Sequence, residues 1–432
     1  TGCTNLTGLK DNIVRNLWWQ TRKERGKLFS LSISTMDTNG IRVKDLLNYL
    51  PAPLLDQLAQ ATQVDYQVKK LHGKLLFQLL LYGVLTTTRL SLNVLVAVLD
   101  SLCFRTFAGL KPDFQTRRNS LADRLAHVQV AYFEQLLQAT TALFRRHFPN
   151  DQKRPYRINC FDSTTVSCSS KLLAMGMVNG IKPKDESKRL KQIKFTIGFD
   201  GLTVSACDLY TQQTYLAEDQ ALGETIRQSS LQEDEVGVFD RGLKKRKTFR
   251  LFSEQGRLFV TRLNSTTMYV PVAVFTSSQG RRTATLELLS DQMVYLYCNG
   301  NVLRFPFRLI TARSRQSSET LFFLTNLFAL PAKEVTAIYR QRWEIECFFR
   351  FLKQELNFTH LLSRTTNGIQ VTVYITLIAA MLILVYRKLN QMSGFKLVKL
   401  RFEQELQTDI IKEIVRLCQG KHQLVDRLVP SG

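Results

Sequence analysis

Residues 339–353 read YRQRWEIECFFRFLK, and this stretch carries the strongest structural signal in the chain. It predicts a helix that starts after Pro331 and runs to about Leu356. A rotation of about 100° per residue gathers the apolar side chains on one face, which we expect to pack against a core. Another arc, about 80° wide, gathers polar side chains. Its members are Tyr339, Arg342, Glu346, Arg350 and Lys353. The carboxylate of Glu346 therefore lies within a basic stripe.

Taken alone, this stripe is equally consistent with a solvated face whose ion pairs contribute only a few tenths of a kcal/mol, roughly 0.2–0.5 each. Two further carboxylates favour a chemical role. Asp162 ends an apolar strand predicted over 157–162, and Asp240 ends another over 236–240. Carboxylates at strand ends of an α/β sheet commonly lie in a site, although each Asp also suits a turn or a helix cap. We expect the three carboxylates to act together.

Three carboxylates from two strands and one helix can hold two divalent metal ions about 4 Å apart. Such a pair activates a water or a 3′-hydroxyl and stabilises the leaving oxygen in phosphoryl displacement. Hard oxygen ligands suit magnesium or manganese. Zinc is disfavoured because the chain has only five His, and its eight Cys include no Cys-x-x-Cys pair.

Composition indicates the substrate class. The 59 Lys and Arg exceed the 36 Asp and Glu, so the 432-residue chain carries a formal charge of +23. This excess predicts a polyanionic partner, and phosphoryl chemistry makes that partner a nucleic-acid backbone. A hydrophobic fraction of 44% excludes disorder over most of the length. The apolar run 371–386 is shorter than the about 20 residues that a membrane span needs, so it predicts a buried helix.

The spacing of the stripe matches a known signature. Tyr339, Arg342, Glu346 and Lys353 follow the pattern Tyr, two residues, Arg, three residues, Glu, six residues, Lys. Ser-Thr-Thr follows Asp162, and Arg-Gly follows Asp240. In these motifs, over roughly residues 60–390, the sequence resembles DDE transposases of the insertion-sequence-four family.

The resemblance implies a fold and a reaction. The fold is α/β: a ribonuclease-H-like mixed sheet flanked by helices, with a β-strand insertion domain and an N-terminal all-helical DNA-binding domain. Asp162, Asp240 and Glu346 would be the catalytic ligands of two Mg²⁺ ions, for which Mn²⁺ can substitute. The enzyme would cut double-stranded DNA at transposon terminal inverted repeats, commonly through a hairpin, and join the 3′-hydroxyls to target DNA. A homodimer in the bacterial cytoplasm, associated with the nucleoid, is implied as well.

Residues for DNA contact follow from the same resemblance and from the basic runs. The signature side chains Tyr339, Arg342 and Lys353 would grip phosphates at the transposon end. Arg241, Lys244 and Lys245 are predicted on a basic helix after Asp240, and two more candidate runs lie at 117–118 and 182–194. The tyrosines at 269, 295 and 297 either stack a flipped base or pack in the sheet.

The sequence divides into six predicted segments. They are a basic arm (1–40), a helical DNA-binding domain (41–150), the first part of the core (151–263), the β-strand insertion (264–326), the second part of the core with the Glu346 helix (327–390), and a C-terminal helical segment (391–432). Two rival functions use the same fold: a nuclease without strand transfer, and a domesticated DNA-binding protein. The second is disfavoured because clustered carboxylates facing DNA would weaken binding.

Overall fold

The structure, a computed structural model, describes residues 40–148, 156–168, 176–178, 191–275, 282–421 and 423. The predicted basic arm lies outside the described residues except for Gly40, and residues 182–190 of the basic run lie outside them too. From Arg42 onward the chain forms one compact unit.

Seven helices make up the N-terminal part of this unit within the described residues: α1 (Val43–Leu47), α2 (Ala52–Thr62), α3 (Gly73–Thr86), α4 (Leu92–Asp100), α5 (Leu102–Ala108), α6 (Arg118–His127) and α7 (Val130–His147). The prolines at 51 and 53 predict a break after the first helix, and Pro51 immediately precedes α2. The apolar spacing after Asn119 predicts a single long helix through Leu137, and this prediction is wrong. Val128 and Gln129 have extended backbone, which interrupts the hydrogen-bond ladder and separates α6 from α7.

The described strands are β1 (Arg157–Ser167), β2 (Met177–Val178), β3 (Lys191–Phe199), β4 (Val204–Tyr210), β5 (Glu235–Phe239), β6 (Leu258–Leu263), β7 (Tyr269–Val274), β8 (Leu286–Cys298), β9 (Asn301–Ser314) and β10 (Thr320–Thr325). They form one sheet in the order β2-β3-β1-β5-β6-β10-β9-β8-β7, with β4 paired to β3. Strand β1 is antiparallel to β3 and parallel to β5, and β5 is parallel to β6. Helices α8 (Glu218–Gln228) and α9 (Arg246–Glu254) complete this layer. The predicted mixed α/β sheet flanked by helices is confirmed.

The predicted β insertion is continuous with this sheet. Strand β10 pairs with β9 on one side and with β6 on the other. Alternation in the sequence predicts separate strands over 282–289 and 294–298, but the structure has one continuous strand, β8, from Leu286 to Cys298. Its register with β9 shifts between Leu288 and Ser290 and again between Val294 and Leu296. These irregularities accommodate extra residues without ending the strand.

The helix predicted over 331–356 is two helices, α10 (Ala332–Arg340) and α11 (Trp343–Glu355). At the junction, the N–H groups of Gln341 and Arg342 donate to carbonyls three residues back, at 3.1 and 3.0 Å. The carbonyl of Gln341 accepts from the N–H of Glu344, at 2.8 Å, and also from the Cys160 thiol on β1, at 3.2 Å. The joint between the two helices is therefore held against the sheet.

Two long helices close the fold, α12 (Thr366–Leu389) and α13 (Phe395–Leu417). Helix α12 is long and apolar enough to cross a membrane, but 94% of its most apolar window is buried inside the protein. It packs against α3, α6 and α7. The predicted buried helix is confirmed. The sequence also predicts a helix over 402–418, and α13 covers most of it but begins seven residues earlier, at Phe395.

Two apolar layers hold the sheet. On one face, Phe161 and Phe239 join a buried cluster with Leu222 of α8 and Phe259 of β6. On the other face, Phe199 of β3 stacks on Phe348 of α11 with ring centroids 4.1 Å apart. Helix α11 is thus fixed beside β1 and β3, and this packing positions the site.

Candidate active site

The two candidate aspartates follow paired residues on neighbouring strands. Phe161 of β1 is in register with Phe239 of β5, and the two strands are parallel. Each Phe is followed by the Asp, so Asp162 and Asp240 emerge side by side where β5 ends. Because side chains alternate along a strand, Asp162 shares a face with Cys160, whose thiol contacts the α10–α11 junction. That face is the one on which α11 packs.

Asp162 lies in the middle of β1 and does not end it, contrary to the sequence prediction. The strand continues to Ser167 because β3 remains its partner after β5 has stopped. Burial raises the pKa of Asp162 to about 7, and the charges of Asp240 and Glu218 act in the same direction. The backbone N–H of Ser163, donating to Asp162 Oδ1 at 2.8 Å, and the nearby Arg342 oppose this rise. The Ser163 N–H and Arg342 therefore do not compensate fully for the burial of the Asp162 carboxylate and the negative charges near it.

Asp240 ends β5, as predicted, and a tight turn fixes its side chain. The N–H of Gly242 donates to Asp240 Oδ1 at 2.7 Å, and Thr261 Oγ1 of β6 donates to the Asp240 carbonyl at 3.0 Å. A Cβ at position 242 would lie 2.8 Å from Asp240 Oδ1 and 2.8 Å from Glu218 Cγ. Glycine is required there by this close approach.

Glu346 is the third candidate carboxylate, and it forms an ion pair with Arg342 one turn earlier, at 2.6 Å between Nη1 and Oε1. Burial opposes the charge of Arg342, but its hydrogen bond to Glu346 and the proximity of Tyr339 and Asp162 raise its pKa. Burial likewise raises the pKa of Tyr339, with Arg342 acting against this and Asp240 adding to it. Arg342 therefore lies near Asp162 and Tyr339 lies near Asp240, while Glu346 is connected to this region through its ion pair with Arg342.

The remaining predicted DNA contacts are exposed. Lys353 lies two turns beyond Glu346 on α11, and its side chain faces solvent. Arg241, Lys244 and Lys245 are exposed too, but they precede α9 instead of lying on it, which corrects the sequence prediction. The reason is that the backbone N–H groups of both lysines donate to Asp219 at the start of α8, which holds this stretch as a loop.

Sequence analysis missed one carboxylate in this region, that of Glu218. Its Oε2 pairs with Lys194 of β3 at 3.1 Å, while Oε1 is buried without a hydrogen-bond partner among the described residues. Lys194 itself is only 3% exposed and lies on β3, so the end of the basic run 182–194 is part of the sheet. An acidic residue in the first turn of a helix is common, and nothing else in the sequence distinguishes Glu218.

The donor set suits a hard divalent cation. The charges of Asp240 and Glu218 both act on Asp162, and the unpartnered Glu218 oxygen and the raised pKa of Asp162 mark a local excess of negative charge. Across the described ranges, however, three or more His, Cys, Asp or Glu residues nowhere form a group close enough to hold a metal ion. Glu346 is instead engaged by Arg342.

Residues 153–382 match the family described as the transposase DDE domain, which is more than half of the chain. The chain belongs to this family of DDE transposases. The matched region contains both aspartates, the Tyr-Arg-Glu-Lys signature and all ten strands. The resemblance read from the sequence motifs is thereby confirmed. As a DDE transposase, the protein is an enzyme that cleaves DNA and transfers strands in DNA transposition.

Curated relatives agree with this assignment. A putative transposase, y4zB, of Sinorhizobium fredii is 26% identical over 63% of this chain and 72% of its own. The probable transposase for insertion sequence element IS5377 of Geobacillus stearothermophilus is 23% identical over 65% of this chain and 71% of its own. Among solved structures, a chain of the piggyBac transposase synaptic complex with hairpin DNA has a TM-score of 0.45 and 11% identity, covering 92% of this chain and 87% of that one.

Proposed function

We propose that this transposase cuts transposon ends at their terminal inverted repeats and joins the resulting 3′-hydroxyls to target DNA, using Asp162, Asp240 and Glu346 as its catalytic carboxylates. The observation that carries the proposal is the register of β1 with β5, which brings Asp162 beside Asp240 on the strands next to α11. Helix α11 supplies Glu346, and Arg342 links Glu346 electrostatically to Asp162.

The same three carboxylates would hold two Mg²⁺ ions, with Mn²⁺ as a substitute. When bound, such ions activate the attacking water or 3′-hydroxyl and stabilise the leaving oxygen. The protein contributes a partly buried pair of aspartates whose mutual repulsion a cation relieves. Glycine at position 242 lets the backbone pass close to the side chains of Asp240 and Glu218.

Arg342 has a second role in the proposal. Its guanidinium now binds the Glu346 carboxylate, and a planar fork of this kind binds a phosphate equally well. A phosphate of the transposon end therefore competes with Glu346 for Arg342. Engagement of Arg342 by DNA leaves the Glu346 carboxylate available beside the aspartates, and Tyr339 stays within reach of the same phosphate.

The exposed cations extend the DNA path from the carboxylates. Lys353 lies further along α11, and Arg241, Lys244 and Lys245 lie on the loop that follows Asp240. All four contact phosphates in the proposed complex. We further propose that the enzyme acts as a homodimer on paired transposon ends and works in the bacterial cytoplasm at the nucleoid, as the signature of the insertion-sequence-four family implies.

The test compares wild type with Glu346→Gln on a labelled duplex that carries the transposon end, taken from the DNA flanking the coding sequence. Cleaved and joined products are scored with and without Mg²⁺. Glu344→Gln is the matched control, because Glu344 lies on the same turn of α11 but is exposed. We expect Mg²⁺-dependent joining in wild type and in Glu344→Gln, and neither cleavage nor joining in Glu346→Gln.

Binding of the labelled duplex is measured in parallel and should be retained in Glu346→Gln, because the substitution removes a negative charge and leaves the fold intact. Equal activity of Glu346→Gln and wild type would show that the carboxylates are misassigned. Cleavage without joining by wild type would favour a nuclease that acts without strand transfer.

A further inference from the structure

A cavity of about 420 Å³ lies where the segment 360–365, which follows α11 in the chain, meets α4 and α6. This volume falls within the range of small-ligand sites, about 300–1,000 Å³. Its wall includes Asn93 of α4, Arg118 of α6, and His360 and Arg364 of the connecting segment. The site proposed for catalysis uses none of these residues.

The charge of this cavity is entirely of one sign. Arg118 and Arg364 line it, and none of its lining residues is an Asp or a Glu. Both arginine side chains are exposed, and within the described ranges neither forms an ion pair or a hydrogen bond. Most guanidinium groups elsewhere in the fold have partners, for example Arg145 with Glu235 at 3.0 Å. The two arginines are therefore available to a ligand.

A third cationic residue, Arg89, adds to the positive potential near the cavity. The pKa of His360 is lowered, first by burial and then by the charge of Arg89, which precedes α4. Arg89 is exposed, and it too has no ion-pair partner among the described residues. The neutral imidazole of His360 can donate one hydrogen bond from its protonated nitrogen.

The helix ends at this cavity are already satisfied by their own chain. Ser91 Oγ accepts from the N–H of Val94 at the start of α4, and Thr365 Oγ1 accepts from the N–H of Gly368 at the start of α12, each at 3.2 Å. The helix dipoles add to the positive potential. The donors open to a ligand are the arginines.

The cavity is connected to the proposed DNA path through the chain itself. Segment 360–365 follows α11, which carries Glu346 and Lys353. Asn357 Nδ2 donates to the carbonyl of Thr87 at 3.4 Å, which ties the end of α11 to the loop that carries Arg89. Lys353 on α11 and Arg89 on this loop thus place positive charge on both sides of the contact between the end of α11 and the N-terminal helices.

We propose that this cavity binds a phosphate of the DNA backbone, with Arg118 and Arg364 as the paired donors, and so holds the duplex at a point separate from the catalytic carboxylates. The inference rests on the proposed function, since it takes transposon DNA as the ligand. Guanidinium forks suit the recognition, because each can present two parallel N–H groups to phosphate oxygens. Free inorganic phosphate shares this chemistry and is the alternative source.

The test compares wild type, Arg118→Gln/Arg364→Gln, and a control, Arg42→Gln/Arg416→Gln. The control removes the same charge from two exposed arginines that pair with Asp45 and Glu413. The dissociation constant for the transposon-end duplex is measured between 50 and 200 mM salt. Each lost phosphate contact lowers the magnitude of the slope of log affinity against log salt by about 0.9, so we expect a fall of about 0.9 in the cavity variant, which loses one phosphate, and no fall in the control.

An unchanged slope in the cavity variant, or an equal fall in the control, would overturn the inference. A rise in melting temperature with inorganic phosphate in wild type, combined with an unchanged DNA slope, would also overturn it and identify an anion site only. Circular dichroism checks that the variants are folded. The outcome is separable from that of the proposed function: joining by wild type with an unchanged slope rejects only the cavity, whereas activity in Glu346→Gln rejects only the catalytic assignment.

Discussion

Phe161 of β1 is paired in register with Phe239 of β5, and this single pairing brings Asp162 beside Asp240. Both phenylalanines are fully buried in the same cluster, so the pairing is held by packing as well as by the ladder. A shift of one residue would turn the apolar set of β1 to the other face of the sheet. The relative position of the two carboxylates is thus stabilised by the core beneath them.

Replacement of Asp240 by Asn is expected to reduce cleavage and joining by about 10³-fold, equivalent to about 4 kcal/mol, because a neutral amide is a poor metal ligand. Product formation on the labelled transposon end measures the loss. Asp234→Asn is the control, since Asp234 is exposed at the other end of β5. A similar loss in both variants would point to damage to the strand, and full activity in Asp240→Asn would remove Asp240 from the site.

Lys353→Ala should weaken end processing about 10-fold and lower the salt slope of DNA binding by about 0.9, because one phosphate contact is lost. Lys333→Ala on α10 is the comparison, as Lys333 is exposed and lies outside the stripe. Binding titrations at several salt concentrations give the slope. If Lys353→Ala processed ends as wild type does, the stripe would not be a DNA-contacting surface.

The buried ion pair between Arg308 and Asp291 in the β insertion should contribute to the free energy of unfolding. Arg308 donates to both oxygens of Asp291, at 2.8 and 2.7 Å, and also to the carbonyl of Leu327. Arg308→Ala leaves a buried carboxylate without its partner, which costs about 3–5 kcal/mol and lowers the melting temperature by about 5 °C. Thermal unfolding followed by circular dichroism measures this change.

Two variants calibrate that measurement. Arg282→Ala removes an exposed partner of Glu287 and should change the melting temperature by less than about 1 °C. Arg308→Met/Asp291→Leu replaces the pair by apolar side chains and should recover most of the loss. A melting temperature in Arg308→Ala equal to that of wild type would show that the pair contributes nothing to the fold.

Affinity for duplex DNA should fall about 10³- to 10⁵-fold between 50 and 200 mM salt if six to ten phosphates are contacted, as a net charge of +23 leads us to expect. Fluorescence anisotropy with a labelled duplex measures this dependence. Random and transposon-end duplexes should share most of the slope, because phosphate contacts carry no sequence information. A flat response would contradict a phosphate-dominated interface.

Several features could be predicted from sequence because they depend on local spacing. The Tyr339–Lys353 signature and the two Asp contexts were enough to indicate the family, and alternation predicted most strands of the sheet. The predictions fail where contacts with residues far away in the sequence determine where a helix or strand ends. The break between α10 and α11 depends on packing against β1, and the continuation of β1 past Asp162 depends on pairing with β3.

Residue types and intervals along the chain were enough to predict the chemistry: three carboxylates, a basic stripe and an excess of positive charge. Only the tertiary structure decided which side chains meet. Glu218 and Asp240 both approach the backbone at Gly242, where a Cβ would lie 2.8 Å from each, and Arg118 faces the same cavity as Arg364 although 246 positions (364 − 118) separate them. Such contacts follow from packing between elements far apart in the chain, and no local pattern in the sequence records them.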